Sequence, residues 1–198
     1  MRKRLSIQYL KGRGIEIGPC QGPIYLNPGV NVVYVDMHTA KEHNDVFPQF
    51  KKDGYTITEP DILYDAEKID QIFNRGTQDF VVANHVIEHL IDPVWALGSW
   101  YNVLKPGGVL FMAVPDKNHT FDKVRPLTPP EHFEGMQMSH EKEWAALFGP
   151  TPMIISIHQH VWDFESWKAF SKRWIEGAFE LLEHTPNGLE FYCVYRKK

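Results

Sequence analysis

The sequence has few cysteines and no long hydrophobic run. Cys20 and Cys193 are its two cysteines, and they lie near opposite ends of the 198 residues. Two distant cysteines make a poor disulfide framework, so we predict a protein of the reducing cytoplasm rather than a disulfide-rich secreted domain. No apolar stretch approaches the roughly 20 residues that a membrane-spanning helix needs. The basic N-terminus also lacks the apolar core and cleavage site of a signal peptide.

An excess of positive charge is also absent. The 21 lysines and arginines are outnumbered by 25 aspartates and glutamates, which leaves a formal net charge of -4. Proteins that bind duplex nucleic acid usually present a basic face, so we expect no nucleic-acid partner. Internal repeats and linker signatures are missing as well, and the sequence therefore predicts one globular domain over 1–198.

Strand and helix patterns alternate along the chain. In the stretch 79–116, an apolar run at 80–83 is followed by helical spacing at 93–104, a Lys-Pro-Gly-Gly turn and a second apolar run at 109–114. This order predicts one strand–helix–strand unit of a parallel sheet. Further strands are predicted at 13–17, 31–35 and 61–64, a terminal hairpin at 179–183 and 189–196, and helices near 3–11, 66–75 and 163–176.

Polar residues follow the predicted strands where ligands bind in open α/β sheets, at the carboxyl ends. Asn84 and His85 follow one strand, and Asp116 follows the next. Asp36 ends the second strand, about 20 residues after a glycine-containing turn, where a carboxylate can accept both ribose hydroxyls. Asp65 follows the third strand and could accept a hydrogen bond from an adenine amino group. Taken singly, each carboxylate could instead cap a helix or turn.

These residues resemble the motifs of the class I S-adenosylmethionine-dependent methyltransferases. The segment Glu16-Ile-Gly-Pro-Cys-Gln-Gly22 is similar to the family's E/D-x-G-x-G-x-G turn, with Cys20 in place of the middle glycine. Asp36 matches the acidic ribose ligand, and Asp65-Ala66 matches the adenine-contact pair. The runs His85-Val-Ile-Glu-His-Leu90 and Leu104-Lys-Pro-Gly-Gly108 are frequent in the small-molecule branch of the family.

The resemblance implies an α/β fold and a cofactor. We expect a Rossmann-like seven-stranded sheet of order 3-2-1-4-5-7-6, mostly parallel with a C-terminal antiparallel hairpin and with helices on both faces. The expected cofactor is S-adenosylmethionine, and the expected acceptor is a small molecule or a glycan. The predicted cofactor-binding residues are Glu16, Gly18, Pro19, Cys20, Gly22, Asp36, Met37, Asp65, Ala66, Asn84 and His85.

The charges favour this cofactor over a dinucleotide. Glu16 and Asp36 place negative charge where a sulfonium and an ammonium would be attracted and a pyrophosphate repelled. The segment that follows the glycine turn is short and flanked by prolines, so it does not offer the helix N-terminus that binds a pyrophosphate. An NAD-linked dehydrogenase is therefore the weaker alternative. A non-catalytic methyltransferase-like binding protein is the stronger one, because Cys20 alters the glycine motif.

A hydroxyl or amine acceptor needs a base to take its proton. The candidates from sequence are His85, Asp116, His119, His132 and His160. We predict that the long segment 117–161 forms the substrate region or a lid, with Arg125 available to pair with an acceptor carboxylate or phosphate.

No metal ion is predicted. His85, Glu88 and His89 would share one face of a helix, and His and Glu ligate divalent metals. A metal at these residues is the alternative hypothesis, whereas the favoured interpretation is that Glu88 and His89 cap and pack the start of a helix.

Overall fold

A computed structural model describes residues 1–135, 137–149 and 157–198. The strands are β1 (Arg13–Ile17), β2 (Asn31–Asp36), β3 (Ile62–Leu63), β4 (Gln78–Asn84), β5 (Leu104–Pro115), β6 (Phe179–Asn187) and β7 (Glu190–Lys197). The helices are α1 (Arg2–Tyr9), α2 (Ala40–Val46), α3 (Pro48–Lys52), α4 (Pro93–Val103), α5 (Glu141–Phe148) and α6 (Phe164–Trp174). Among the described residues, no helix is both long and apolar enough to cross a membrane.

The strands form one sheet in the order β3-β2-β1-β4-β5-β7-β6. β1 through β5 pair in parallel, β7 runs antiparallel to β5, and β6 pairs antiparallel with β7. The predicted fold class and strand order are therefore confirmed. The parallel register carries the carboxyl ends of β1, β2 and β4 to one edge of the sheet, where the predicted site residues follow them.

Side chains on both faces of the sheet are buried. On one face, Trp100 of α4 and Trp167 and Phe170 of α6 pack into the larger apolar cluster. On the other face, Leu5 of α1 packs with Ile24 and with the sheet residue Phe111. Helices thus cover both faces, as expected, but the second face is covered partly by irregular chain.

The connection from β1 to β2 contains no helix. Residues 18–30 form turns and irregular chain, in agreement with the proline-flanked sequence. The carboxylate of Glu16 accepts the amide of Ile24 at 2.8 and 3.1 Å, which ties this connection to the end of β1. Both groups are buried.

Two local expectations differ from the structure. The predicted helix near 66–75 is a shorter 3-10 turn, Ala66–Gln71, which is interrupted by a non-helical backbone at Lys68. α2 was not predicted, although its start carries a capping box in which Thr39 and Glu42 satisfy each other's backbone amides. The sequence of α2 has only a weak apolar periodicity, so the capping box at its start indicates this helix better than the spacing of its apolar residues does.

The segment after β5 consists of short turns and one helix. 3-10 turns at Lys117–His119, Phe121–Val124 and Pro130–Phe133 precede α5. Residues 136 and 150–156, which belong to the predicted substrate segment 117–161, lie outside the described residues. The segment returns to the sheet near Trp162, whose carbonyl accepts the amide of Lys117 at 2.9 Å.

Candidate functional site

A cavity of about 630 Å³ opens at the carboxyl ends of β1, β2 and β4. Its volume lies within the range of roughly 300–1,000 Å³ that small-molecule sites occupy. All the residues predicted to bind a cofactor line it. The lining also includes residues outside the predicted cofactor set, among them Arg2, His43, Phe121 and His158.

The turn after β1 keeps a glycine-like backbone in spite of Cys20. Gly18 has φ of +61°, and a Cβ at this position would lie 2.9 Å from Cγ2 of Val86. Cys20 has φ of 40°, which is also in the left-handed region. Burial raises the pKa of its thiol to about 11, so the thiol stays protonated at neutral pH. Cys20 therefore substitutes for glycine in backbone conformation and offers no thiolate nucleophile.

Asp36, at the end of β2, is buried and held from two sides. Its Oδ1 accepts the amide of His38 at 3.0 Å, and its Oδ2 lies 3.1 Å from Nε2 of His43. A carboxylate offers about four lone-pair sites, so two acceptor positions remain. His43, on α2, was missed because its contact with Asp36 depends on a helix that the sequence pattern did not predict.

Asp65 begins the 3-10 turn after β3. Its Oδ1 accepts a hydrogen bond from the amide of Glu67 at 2.9 Å, and its Oδ2 accepts one from the ammonium of Lys68 at 2.8 Å. Asp65 therefore caps this turn and also lines the cavity.

Glu16 is 1% exposed at the end of β1. Burial raises the pKa of Glu16 to about 7, although the amide of Ile24 and the charge of Arg2 act in the opposite direction. Glu16 therefore titrates much closer to neutral pH than an exposed glutamate does. A positive charge placed in the cavity would favour its ionised form.

His85 stands in a network of carboxylates. Its Nε2 lies 2.7 Å from Glu190 and its Nδ1 lies 3.5 Å from Glu88. Burial alone would lower the pKa of His85, but these two partners outweigh it and raise the pKa to about 9. His85 is therefore a cation at neutral pH, which argues against its predicted role as a general base. Arg2 of α1 pairs with the same carboxylate of Glu190 at 2.7 Å.

The structure places the other predicted catalytic residues outside the cavity lining. Asp116 accepts the amides of Asn118 at 2.9 Å and Phe164 at 3.3 Å, so its carboxylate caps a turn and anchors α6. His119 is exposed on that turn. His132 and His160 lie near each other in the segment after β5, with ring centroids 5.4 Å apart. None of the four lines the cavity.

A histidine–aspartate pair stands at the cavity instead. Nδ1 of His158 lies 2.5 Å from Oδ2 of Asp122, and the other oxygen of Asp122 accepts a hydrogen bond from the guanidinium of Arg125 at 2.9 Å. All three residues are buried. Arg125, which the sequence offered as a partner for the acceptor, pairs with Asp122 and does not line the cavity. A signal was present in the alternating His158 and His160, but it did not say which of the two faces the cavity.

Glu88 and His89 lie beside this pair. One ligand atom each from Glu88, His89 and His158 fall within 4.8 Å of one another. Nδ1 of His89 lies 2.9 Å from the carbonyl of Ile157, and burial lowers the pKa of His89 to about 4. The alternative hypothesis placed a metal at His85, Glu88 and His89. In the structure, the third group that lies close to Glu88 and His89 is His158 and not His85. The cationic His85 already neutralises Glu88.

Comparison with known proteins identifies the fold and the family. A family model described as a methyltransferase domain matches residues 2–184. The chain belongs to the class I S-adenosylmethionine-dependent methyltransferases, in their type 11/23 branch. Family membership and fold support methyltransferase activity, and S-adenosylmethionine is the cofactor that they imply.

Several solved structures resemble this methyltransferase at low sequence identity. A protein from Pyrococcus horikoshii OT3 aligns with a TM-score of 0.60 at 17% identity, covering 98% of this chain and 87% of that one. A possible histamine N-methyltransferase from Thermotoga maritima aligns at 0.56 and 15%, covering 100% and 88%. The CurJ carbon methyltransferase aligns at 0.56 and 16% over 96% of this chain, which spans about half, 49%, of that structure's length. These likenesses show the fold alone.

The cavity of this methyltransferase fits its cofactor. Asn84 is 8% exposed, and neither its amide nitrogen nor its amide oxygen has a hydrogen-bond partner among the described residues. Buried polar groups are rarely left unsatisfied, so this side chain needs a ligand with both donors and acceptors. The amino-acid end of S-adenosylmethionine offers an ammonium and a carboxylate. Asp36 retains the acceptor positions that a ribose requires.

Proposed function

We propose that this methyltransferase transfers a methyl group to a hydroxyl or amine of a small molecule or glycan, with His158 as the general base. The observation that carries this proposal is the 2.5 Å contact between His158 and Asp122 at the wall of the cofactor cavity. The net charge of -4 supports a small-molecule or glycan acceptor over a nucleic acid.

The residues at the strand ends hold the cofactor in this proposal. Gly18 and Cys20 let the backbone approach closely, Asp36 accepts from the ribose, and Asn84 contacts the amino-acid end. Arg2 lines the cavity from α1 and supplies a guanidinium for a carboxylate. When bound, S-adenosylmethionine supplies a methyl carbon that its sulfonium has activated toward nucleophiles.

Asp122 fixes the tautomer of His158. An ionised carboxylate only accepts hydrogen bonds, so the N–H of His158 that faces Asp122 is on Nδ1, and Nε2 is the nitrogen that this proposal assigns to the acceptor. Burial would raise the pKa of Asp122, but His158 and Arg125 outweigh it and lower this pKa. The Asp122 anion then stabilises the imidazolium that forms when Nε2 takes a proton from the acceptor hydroxyl or amine. Positioned bases of this kind contribute about 10²–10⁴-fold in rate.

The segment 117–161 forms the acceptor side in this proposal. Phe121 and His158 are its contributions to the cavity wall, and their rings lie 4.7 Å apart. Trp144 of α5 packs against Phe121 at 5.6 Å, behind that wall. The acceptor would therefore be enclosed by an aromatic surface that places its reactive atom near His158.

Two measurements test the proposal. Calorimetric titration with S-adenosylmethionine, S-adenosylhomocysteine and NAD should give binding of the first two and none of NAD. Transfer from methyl-labelled cofactor to panels of sugars, phenols and amines should then label at least one panel, and His158→Gln should abolish that label while keeping cofactor affinity. Cofactor binding without transfer to any panel would instead favour a non-catalytic binding protein.

A further inference from the structure

Three histidines meet in the segment after β5, away from the cofactor cavity. His132 lies in the 3-10 turn Pro130–Phe133, His140 precedes α5, and His160 lies in the run that returns to the sheet. One ring nitrogen of each falls within 4.8 Å of the other two. None of the three lines the cavity that holds the cofactor.

The ring nitrogens are oriented by neighbouring groups. Nε2 of His132 and Nε2 of His140 are 3.1 Å apart, and Nδ1 of His140 lies 3.3 Å from a carboxylate oxygen of Glu143. Nε2 of His160 lies 3.3 Å from the carbonyl of Ile91. Nδ1 of His160 is buried and has no hydrogen-bond partner among the described residues. Histidines that bind a metal through one ring nitrogen usually donate a hydrogen bond from the other to a carboxylate or a carbonyl, and this bond orients the ring.

Three ring nitrogens face each other in this cluster, one each from His132, His140 and His160. Ring nitrogens whose lone pairs face each other repel unless a proton or a cation lies between them. One proton can bridge His132 and His140, but it leaves the buried nitrogen of His160 without a partner.

We propose that His132, His140 and His160 together bind one divalent transition-metal ion of the zinc type. Three imidazoles are the ligands that Zn²⁺ accepts at tetrahedral sites with one open position. Mg²⁺ and Ca²⁺ prefer oxygen ligands, and none of the three groups supplies one. His132 and His140 are only partly buried, which leaves a route for the ion to enter.

An ion bound at these three histidines would hold the segment after β5 in place. The amide of His160 donates to the carbonyl of Glu88 at 3.1 Å, so one ligand is tied to the chain beside the cavity. His132 and His140 belong to the segment that carries Phe121 and His158. The ion would therefore fasten His132 and His140 to the part of the segment that is tied to the chain beside the cavity, and its loss would loosen them without touching the cofactor-binding turn.

Metal titration of the untagged, chelator-treated protein tests this proposal. Wild type should bind about one equivalent of Zn²⁺ per chain, because the three ligands complete one site. Co²⁺ in its place should give the visible absorption of a tetrahedral ion. His132→Gln and His140→Gln should each weaken Zn²⁺ binding at least about 100-fold, since even loss of an outer-sphere partner costs about 10–100-fold. The midpoint temperature of unfolding should rise with Zn²⁺ in wild type but not in His132→Gln or His140→Gln.

Two further variants keep the outcome interpretable. His119→Gln, on an exposed histidine of the same segment, is the matched control and should bind Zn²⁺ like wild type. Calorimetric binding of S-adenosylmethionine reports that each variant is folded. Absence of Zn²⁺ binding in wild type overturns the proposal. So does binding that survives in His132→Gln and His140→Gln but is lost in Glu88→Gln, since this result would place the ion at Glu88, His89 and His158.

Discussion

The guanidinium of Arg2 lies 2.7 Å from the carboxylate of Glu190, and this ion pair joins the first helix to the last strand beside the cofactor cavity. The same carboxylate oxygen lies 2.7 Å from Nε2 of His85. Glu190 thus holds two cations at once, and these two partners with Tyr192 outweigh its burial and lower its pKa to about 2. Arg2 is fixed at the cavity wall with donors to spare, because a guanidinium has five.

Arg2→Ala is expected to weaken binding of S-adenosylmethionine about 10- to 150-fold, which corresponds to the loss of one charge-assisted hydrogen bond. Calorimetric titration measures the change. Arg4→Ala is the matched control, because Arg4 lies on the same helix, hydrogen-bonds to Gln8 and Met1 among the described residues and does not line the cavity. Equal losses in the two variants would mean that α1, and not the guanidinium of Arg2, determines affinity.

Affinity for S-adenosylmethionine should rise with pH up to about pH 7 and then level off. Glu16 has a pKa of about 7 in the folded protein, and a bound cation favours its ionised form, so binding releases a proton. The slope is at most about tenfold per pH unit. Titration in buffers of different ionisation enthalpy detects the released proton. Glu16→Gln should bind without pH dependence, and a variant that keeps the wild-type slope would contradict the assignment.

The raised pKa of Glu16 also predicts that folding stability falls as pH rises, whereas cofactor affinity rises. The folded pKa of Glu16 lies above its ordinary value of 4.5, so its contribution to stability is fully present below about pH 4.5 and is lost as pH rises through 7. The unfolding midpoint of wild type should therefore fall relative to that of Glu16→Gln between pH 5 and pH 8. A constant difference across this range would rule out the raised pKa.

Gly18→Ala should damage the cofactor turn through two separate effects. The left-handed backbone costs about 1–2 kcal/mol for a residue with a Cβ, and this Cβ would also lie 2.9 Å from Val86. Gly76→Ala isolates the first effect, because Gly76 has nearly the same φ of +63° and nothing within 4 Å. Denaturant unfolding should give a larger loss for Gly18→Ala, and only that variant should lose cofactor affinity.

Asp122→Asn should lower kcat about 10²–10⁴-fold while cofactor affinity stays unchanged. The loss should shrink for acceptors whose hydroxyl is already acidic, because these need little help from a base. Lys123→Ala, an exposed neighbour on the same turn, should behave like wild type. A uniform loss across acceptors of every acidity would indicate that Asp122 only positions the segment.

Much of the scaffold could be predicted from sequence because its signals are local. The apolar run 80–83 and the Lys-Pro-Gly-Gly turn gave β4, α4 and β5 in the right order. Asp36 and Asn84 could be placed at one edge because parallel strands all present their carboxyl ends there. This part of the prediction required topology and no knowledge of side-chain contacts.

The catalytic side could not be predicted in the same way. Asp122 and His158 meet across 36 positions of chain that lack a regular pattern, and Arg2 meets Glu190 across 188. Asp116 was a candidate from the sequence and Asp122 was not, yet the oxygens of Asp116 are occupied by backbone amides. Which polar side chain is free to react depends on contacts that only the folded segment determines.

The connection over residues 18–30 has a consequence for how ligands enter and leave. It forms one wall of the cavity without a helical hydrogen-bond ladder, and the carboxylate of Glu16 is its tie to β1 at Ile24. A wall of this kind can open by local unfolding while the sheet stays intact. Its amides should therefore exchange with deuterium faster than those of β1, which are held in the ladder of the sheet.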